Sequence, residues 1–530
     1  MTVSRWLRAA IVAVFLACSL WGIEQDLPYT PEVDEPLFVV PAGRIASTGN
    51  LNPRWFGHPG STVFYPLAGL YHLWQGSSHG GSWLHPNRQM AETFRASPSE
   101  FFVIGRLLMV AFVVLGLPLV HRVGERTLGD GAGLIAAWLT AISPVLVVHA
   151  QLVRTDTASL LFSMIALLAC LRLLDDPTPS RQVLAGAAVG LAVATKYSLV
   201  ALLPVLLVAD ALALRWEPRR TRRWLGIVLG LLAVPATFTL ATPYFLIELP
   251  RALADIRFQA SHSHLGADAL SPGRNLWWYL TQAFPAGLGW PATLAAGVGL
   301  VLLALRRSPP ELLLLTFVCA VMLELTFHQQ HWDRWIIPIL PVLALTAGSA
   351  VCGGVTRLRL GPRAARALAV AAVLVLSLAP ASAMIRLGLR HTNPSTRLVA
   401  RDWIVAHVPS GSRIAAEWYS APLVPDDFYG YSLNRYAPVT IDSGKRFLVL
   451  ERHALADDRT LDDYRREGFE YLVASNAMYD RYLAEPGRYA AETDFYRTLF
   501  REGQLLEQFW PSRVRGGPII RIYRLTARSP

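Results

Sequence analysis

Long apolar runs, separated by short polar connections, dominate the first 390 residues of the sequence. A helix that crosses a bilayer needs about 20 mostly apolar residues. Runs near that length predict about eleven spans, at approximately 6–23, 101–121, 131–150, 157–174, 183–196, 197–214, 224–242, 285–305, 311–327, 335–352 and 367–387. The fifth run is short and the sixth follows it at once, which suits either two half-helices around a break or one hairpin. The pattern predicts a polytopic α-helical membrane protein.

Residues 390–530 have a different pattern. They contain no spanning run, and short helix-like and strand-like pieces alternate there. The helix-like pieces are Ser395–His407 and Thr460–Glu467, and the strand-like ones are Arg413–Trp418, Tyr471–Ala474 and Ile519–Leu525. We therefore expect a membrane domain over residues 1–389 and a separate α/β domain over residues 390–530.

Composition argues against an ordinary soluble globular protein, a zinc–thiolate module and a disulfide framework. Only 16% of the residues are charged, compared with about 25% in typical soluble domains. The four cysteines lie in apolar stretches and match no metal-ligand spacing, which argues against a zinc–thiolate module and a disulfide framework.

The net charge of +11 reflects the orientation of the chain in the membrane. Of the 49 basic residues only Lys196 and Lys445 are lysines, and residues 1–390 carry ten of the eleven excess charges. Seventeen arginines fall at the N-terminus and in alternate connections, which the positive-inside rule places in the cytoplasm. The N-terminus is then cytoplasmic, in a multi-pass protein of the cell inner (plasma) membrane. The first loop, 24–100, and the C-terminal domain are extracytoplasmic, and no nucleic-acid partner is needed to explain the charge.

Carboxylates open the first outer loop. Glu32-Val33-Asp34-Glu35-Pro36 follows the first span by about ten residues. Adjacent carboxylates repel, so Asp34 and Glu35 could hold a raised pKa, a cation or a basic substrate. The alternative is an ordinary solvated loop.

Three further charges lie at predicted outer ends of spans. Asp156 could cap the fourth span or take part in catalysis. Lys196 offers a compact ammonium, although a lysine at a helix end can also snorkel to the interface. Arg334, between tryptophans, could clamp a phosphate with its planar guanidinium or pair with Asp333. If these groups and the loop carboxylates converge on one membrane-level cavity, they suit a lipid-phosphate ligand attacked by a water-soluble acceptor.

Other loop residues are weaker candidates. Asn52 and His58 lie in the first loop, where His58 could ligate a metal, bind an acceptor or cap a turn. His262 and His264 form a His-x-His pair that could bind a metal ion.

The residues quoted so far, with several more, resemble the GT-C glycosyltransferases, in the branch of the protein O-mannosyltransferases and the lipid A aminoarabinose transferase. The resemblance covers residues 1 to about 390. It rests on Asp34-Glu35, Gly49–Pro53 with His58-Pro59, Gly105-Arg106, Ser143-Pro144 with Asp156, Gly190–Tyr197, Thr242-Pro243-Tyr244, and Arg334-Trp335 with Pro338 and Pro341. Two departures, Gly60 in place of Pro-Pro and Trp335 in place of tyrosine, concern donor and acceptor details.

The resemblance implies transfer of a sugar from a polyprenyl-phosphate donor to a protein, lipid or glycan acceptor, with inversion. Asp34 would accept the acceptor's proton, Glu35 and Asp156 would shape the site, and Lys196 and Arg334 would bind the donor phosphate. Asn52 and His58 remain candidates for an acceptor or loop site. Metal use varies across the superfamily, so a divalent ion stays open, with Asp34, Glu35, His262 and His264 as candidate ligands.

Two other functions remain as alternatives. A transporter or flippase of a lipid-linked or anionic solute would line a path to both faces with charges, and Asp210 is the main inner candidate. A non-catalytic assembly or sensor protein would leave the outer charges unexplained.

Overall fold

A computed structural model describes residues 2–29, 32, 34–78, 89–214, 221–260, 270–328, 330–424, 435–440 and 444–525. The helices up to residue 391 are α1 (Thr2–Leu20), α2 (Pro36–Thr48), α3 (Ser61–Ser78), α4 (Met90–Ala96), α5 (Pro98–Thr127), α6 (Asp130–Ala141), α7 (Pro144–Ala150), α8 (Thr155–Asp175), α9 (Pro179–Thr195), α10 (Leu202–Leu214), α11 (Thr221–Ala241), α12 (Pro243–Ile247), α13 (Leu249–Gln259), α14 (Pro272–Trp278), α15 (Phe284–Leu288), α16 (Trp290–Arg306), α17 (Pro309–Phe327), α18 (Leu340–Arg357) and α19 (Pro362–His391).

All eleven predicted runs fall on helical segments. In the part of the chain that the structure describes, seven helical stretches are long and apolar enough to cross a membrane: Pro98–Thr127, Thr155–Asp175, Tyr197–Leu214, Trp224–Ala241, Pro309–Phe327, Leu340–Arg357 and Pro362–His407. Two bent pairs, α6 with α7 and the segment Pro272–Leu288 with α16, raise the number to nine. Helices α1 and α9 cover the other two predicted spans. The number of crossings and the side of each loop stay predictions.

Glycines bring α9 and α11 into close contact. A Cβ atom on Gly186 would lie 1.8 Å from the carbonyl oxygen of Gly230, and one on Gly190 would lie 2.3 Å from that of Val234. Gly186 and Gly190 are four residues apart and share one helix face. Small residues at this spacing allow two backbones to approach in a membrane, where packing rather than water exclusion drives helix association.

The chain divides into two compact units. The first comprises residues 1–20, 45–88 and 104–385, and it contains most of the apolar helices. The second comprises residues 21–44, 89–103 and 386–530. Segments near the N-terminus thus belong to the same unit as the C-terminal domain.

The C-terminal domain is built on a six-stranded mixed sheet. Its elements are α20 (Thr396–His407), β1 (Arg413–Glu417), β2 (Arg435–Thr440), β3 (Arg446–Arg452), α21 (Leu461–Arg466), β4 (Tyr471–Ser475), α22 (Asn476–Ala484), α23 (Ala490–Glu502), β5 (Gln504–Phe509) and β6 (Ile520–Arg524). The strand order is β2-β3-β1-β4-β6-β5. Strands β3, β1 and β4 are parallel, and the other pairs are antiparallel.

The predicted α/β class of this domain is confirmed, and all five predicted pieces match elements within one or two residues. Separate apolar cores flank the sheet. One contains Leu455, Tyr464 and Tyr496, and the other contains Ile404 of α20 and Val449 of β3.

Candidate functional site at three helix breaks

A cluster of charges lies where three helical segments are interrupted. Asp156 is in the first turn of α8 and is 3% exposed. The Nζ atom of Lys196 lies 2.7 Å from its Oδ1 atom, and the Nε atom of Arg334 lies 3.8 Å from its Oδ2 atom. Asp156, Lys196 and Arg334 are far apart in sequence, and the fold of the first unit brings them together.

Local backbone geometry explains why Lys196 and Asp156 occupy these positions. Lys196 adopts an extended conformation between the end of α9 and the 3-10 turn Tyr197–Ala201. A cation is favourable at the C-terminal end of a helix and an anion at the N-terminal end, because of the aligned peptide dipoles. Lys196 at the end of α9 and Asp156 at the start of α8 follow this rule, so their ion pair agrees with the fields of both helices.

Arg334 belongs to a 3-10 turn, Asp333–Ile336, between α17 and α18. The Oδ1 atom of Asp333 accepts the backbone N–H of Arg334 at 2.8 Å, and the guanidinium of Arg334 lies 4.6 Å from the ring centroid of Trp332. The carboxylate of Asp333 therefore stabilises the turn. The guanidinium of Arg334 lies over the ring of Trp332 and near Asp156.

A second layer of polar groups surrounds the cluster. The Nε2 atom of His149 lies 3.8 Å from Asp333, and its Nδ1 atom lies 3.5 Å from a guanidinium nitrogen of Arg154. Partial burial favours the neutral form of Asp333, but His149 and the N–H and charge of Arg334 outweigh it and hold the pKa of Asp333 below its usual value. Asp333 is thus ionised at neutral pH.

His328 packs against Trp335, with ring centroids 4.5 Å apart. Burial lowers the pKa of His328, and the positive charge of Lys196 lowers it further. His328 is therefore neutral at neutral pH, and its Nδ1 atom accepts the backbone N–H of Gln330 at 3.4 Å.

Glu324 is a carboxylate that the sequence analysis missed. It lies near the end of α17 and interacts electrostatically with Lys196. Its Oε2 atom is buried and has no hydrogen-bond partner among the residues that the structure describes. A charged residue inside a predicted span marks function by default, so the sequence did contain the signal.

The first-loop candidates have structural partners. The side-chain amide of Asn52 donates to Glu248, and its oxygen accepts the backbone N–H of Arg54 at 2.8 Å. His58 packs edge-on against Trp55, with ring centroids 5.1 Å apart. These contacts shape the loop, and an acceptor-binding role for Asn52 or His58 stays a prediction.

Asp34 and Glu35 belong to the second unit, immediately before α2. Glu35 is fully buried and Asp34 is partly exposed. Their backbone carbonyls accept the N–H groups of Leu37 and Phe38, respectively, which starts the helix. Asp156, Lys196 and Arg334 belong to the first unit, whereas Asp34 and Glu35 belong to the second.

The proposed metal ligands are only partly described. His262 and His264 lie outside the described residues. Within the described ranges, no group of three or more His, Cys, Asp or Glu residues has an arrangement that could hold a metal ion.

Comparisons with known proteins agree with the sequence resemblance. Residues 99–243, which include Asp156 and Lys196, match the family described as dolichyl-phosphate-mannose-protein mannosyltransferase. No curated protein matches the sequence significantly.

Solved structures are similar over nearly the whole chain. ArnT from Cupriavidus metallidurans in the apo state superposes with a TM-score of 0.53 at 16% identity, covering 98% of both chains. The same protein bound to undecaprenyl phosphate gives a TM-score of 0.50 with the same identity and coverage. The oligosaccharyltransferase of Archaeoglobus fulgidus in complex with Zn and sulfate gives 0.47 at 14% identity, covering 95% of this chain and 72% of the other.

Proposed function

We propose that this chain, which has the fold of the GT-C membrane glycosyltransferases, transfers a sugar from a polyprenyl-phosphate donor to an acceptor on the extracytoplasmic side of the membrane. The observation that carries the proposal is the cluster of Asp156, Lys196 and Arg334 at the interruptions of apolar helices. Irregular backbone at membrane depth occurs where it is buried in protein or lines a cavity, and two cations there suit an anionic lipid head group.

Each cation contributes in its own way. The guanidinium of Arg334 presents a planar set of N–H donors that can bind two phosphate oxygens. Lys196 supplies a point charge with three donors. Asp156 holds both cations in place before the donor arrives, which reduces the reorganisation that binding requires. The similar structure of ArnT bound to undecaprenyl phosphate supports a lipid-phosphate ligand.

The proposed reaction is a displacement at the anomeric carbon. The acceptor oxygen forms a bond to that carbon while the bond to the phosphate oxygen breaks, and the electron pair stays on the departing lipid phosphate. Lys196 and Arg334 stabilise the charge that develops there. Asp34 takes the acceptor's proton, as the family resemblance implies. Attack opposite the leaving group inverts the anomeric configuration.

The test uses the purified full-length protein in lipid nanodiscs with a synthetic polyprenyl-phosphate sugar and extracted envelope acceptors. We expect sugar transfer by the wild type, and loss of transfer by Asp34→Asn with binding of sugar-free polyprenyl phosphate retained. Normal transfer by Asp34→Asn contradicts the assigned proton acceptor.

A flippase is the second outcome of the same experiment. Gln182 and Asp210 lie buried on neighbouring helices α9 and α10, where the amide nitrogen of Gln182 donates to Asp210 at 3.1 Å. Movement of a labelled polyprenyl-phosphate sugar between leaflets, without transfer to any acceptor, would replace the proposal with transport.

A further inference from the structure

The segment between α1 and α2 packs closely against the end of α19. A Cβ atom on Gly388 would lie 2.3 Å from the indole ring of Trp21, and one on Gly22 would lie 2.5 Å from the Cβ atom of His391. Gly22 also has a φ of +79°, a conformation that L side chains rarely adopt. Two glycines thus allow the start of the segment, Trp21 and Gly22, to lie in direct contact with α19.

The contact continues into the start of α20. The Oδ1 atom of Asp26 accepts the backbone N–H of Ser395 at 3.1 Å, and Ser395 immediately precedes α20. Both residues are buried. A buried carboxylate bonded to a backbone donor fixes the register of the two segments, because losing either partner leaves a polar group unsatisfied.

Two arginines of α20 hold the rest of the segment. A guanidinium nitrogen of Arg397 lies 3.4 Å from Oε1 of Glu32, while its Nε atom donates to the carbonyl oxygen of Tyr419 at 3.2 Å. The guanidinium of Arg401 lies 3.8 Å from the ring centroid of Tyr29, which is a close cation–π contact. Arg397 and Arg401 are one helical turn apart, so they share a face of α20.

Helix α20 is anchored in the C-terminal domain by its buried residues. Ala400 and Ile404 on an adjacent face are buried in the core beneath the sheet. The hydrogen bond from Arg397 to the carbonyl oxygen of Tyr419 also restrains its guanidinium, independently of the ion pair with Glu32. A long side chain that is already restrained loses less entropy when it forms an ion pair.

Glu32, which Arg397 contacts, is close in sequence to Asp34 and Glu35. Asp34 is two residues beyond Glu32, a span of about 7 Å at most in a fully extended chain. On its other side the backbone carbonyl of Asp34 accepts the N–H of Leu37 in α2. Asp34 is therefore restrained from both directions, by α20 before it and by α2 after it.

We infer that the C-terminal domain positions Asp34 and Glu35 for transfer, with Arg397 and Arg401 as positioning residues. The inference rests on the proposed function, because it assumes that Asp34 takes part in the reaction. It assigns a role to a domain that carries no recognisable motif.

The test combines a structural readout with two functional ones. Hydrogen exchange of amides in residues 34–40, kcat for sugar transfer, and affinity for sugar-free polyprenyl phosphate are measured for Glu32→Ala, Arg397→Ala and the double variant. Each single variant should exchange faster and lose kcat by about tenfold, because small displacements of a reacting group slow catalysis steeply. The double variant should be no worse than Arg397→Ala, since both changes remove the same contact. Affinity for the lipid phosphate should not change.

A second contact and a distant control separate positioning from general damage. Tyr29→Leu removes the ring under Arg401 and should resemble Arg397→Ala. Arg466→Ala removes an ion pair with Asp463 on the same domain and should change nothing. Unchanged kcat in Glu32→Ala and Arg397→Ala, or equal losses in Arg466→Ala, would overturn the inference. If the wild type neither binds the lipid phosphate nor transfers sugar, the proposed function fails, while hydrogen exchange still tests whether α20 holds the segment.

Discussion

The Nζ atom of Lys196 lies 2.7 Å from the Oδ1 atom of Asp156, although 40 positions separate the two residues in the chain. Their side chains are 12% and 5% exposed, so the pair is largely removed from water. Such a pair contributes little net stability, because desolvation offsets the attraction. Removing Lys196 leaves the buried carboxylate of Asp156 with the more distant Arg334 as its neighbouring cation, which is costly.

Replacing Lys196 with alanine should therefore cost at most about 3–5 kcal/mol of stability, because Arg334 still lies near Asp156. It should also weaken binding of sugar-free polyprenyl phosphate at least tenfold, because one of two phosphate-binding cations is lost. Thermal unfolding in nanodiscs and lipid-phosphate titration measure the two effects.

The double variant Lys196→Ala/Asp156→Asn separates these effects. It removes the buried negative charge that has lost its nearer cation, so part of the stability should return, whereas lipid-phosphate affinity should stay low. Recovery of both properties together would show that Lys196 acts only as a partner of Asp156.

Glu324→Gln should lower the rate of transfer without unfolding the protein. The amide has nearly the same shape as the carboxylate but removes a negative charge near Lys196, so binding of sugar-free polyprenyl phosphate should be unchanged or tighter. Steady-state kinetics and lipid-phosphate titration check both expectations. Normal kcat and normal affinity would leave Glu324 without a role in the site.

Gly186→Ala should destabilise the membrane unit by roughly 1–3 kcal/mol, because the new Cβ atom overlaps the carbonyl oxygen of Gly230 on α11. Gly297→Ala on α16 is the matched control, since a Cβ atom there meets nothing within 4 Å. Thermal unfolding in nanodiscs compares the two variants. Equal stability of both would show that α9 and α11 separate without cost.

The C-terminal domain should lose stability as the pH rises from about 4.5 to about 7. Burial raises the pKa of Glu417 from 4.5 to about 7, although Tyr496 and the N–H groups of Leu455 and Ser475 donate hydrogen bonds to it. The folded domain then binds this proton more tightly than the unfolded chain, so the contribution of Glu417 to stability is fully present below 4.5 and is lost through this range.

Hydrogen exchange of the amides in β1 and β4 at several pH values, corrected for intrinsic exchange rates, measures this slope. Glu417→Gln should remove it, because the amide does not titrate. A slope that persists in Glu417→Gln would assign the effect to another group. Asp457 titrates below this range, since His453 and neighbouring donors lower its pKa against the effect of burial.

The hydrophobic pattern alone located the helical segments of the membrane part, and five elements of the C-terminal domain, correctly. Apolar runs of bilayer length have few alternatives, because backbone groups in lipid must bond within the helix. The pattern missed β2, β3, β5, α22 and α23. Short elements in a mixed sheet depend on neighbours from distant parts of the chain, as the pairing of β1 with both β3 and β4 shows.

The candidate site, like the fold, was predictable from the sequence in part. Residue type and position relative to the spans were enough to select Asp156, Lys196 and Arg334 as candidates, because charges at membrane depth are costly and rare. The sequence could not state that Asp156 lies between both cations, that Glu324 lies near Lys196, or that α20 holds the segment before Asp34. Those relationships depend on side-chain distances between residues 40 to 370 positions apart, and only tertiary packing sets such distances.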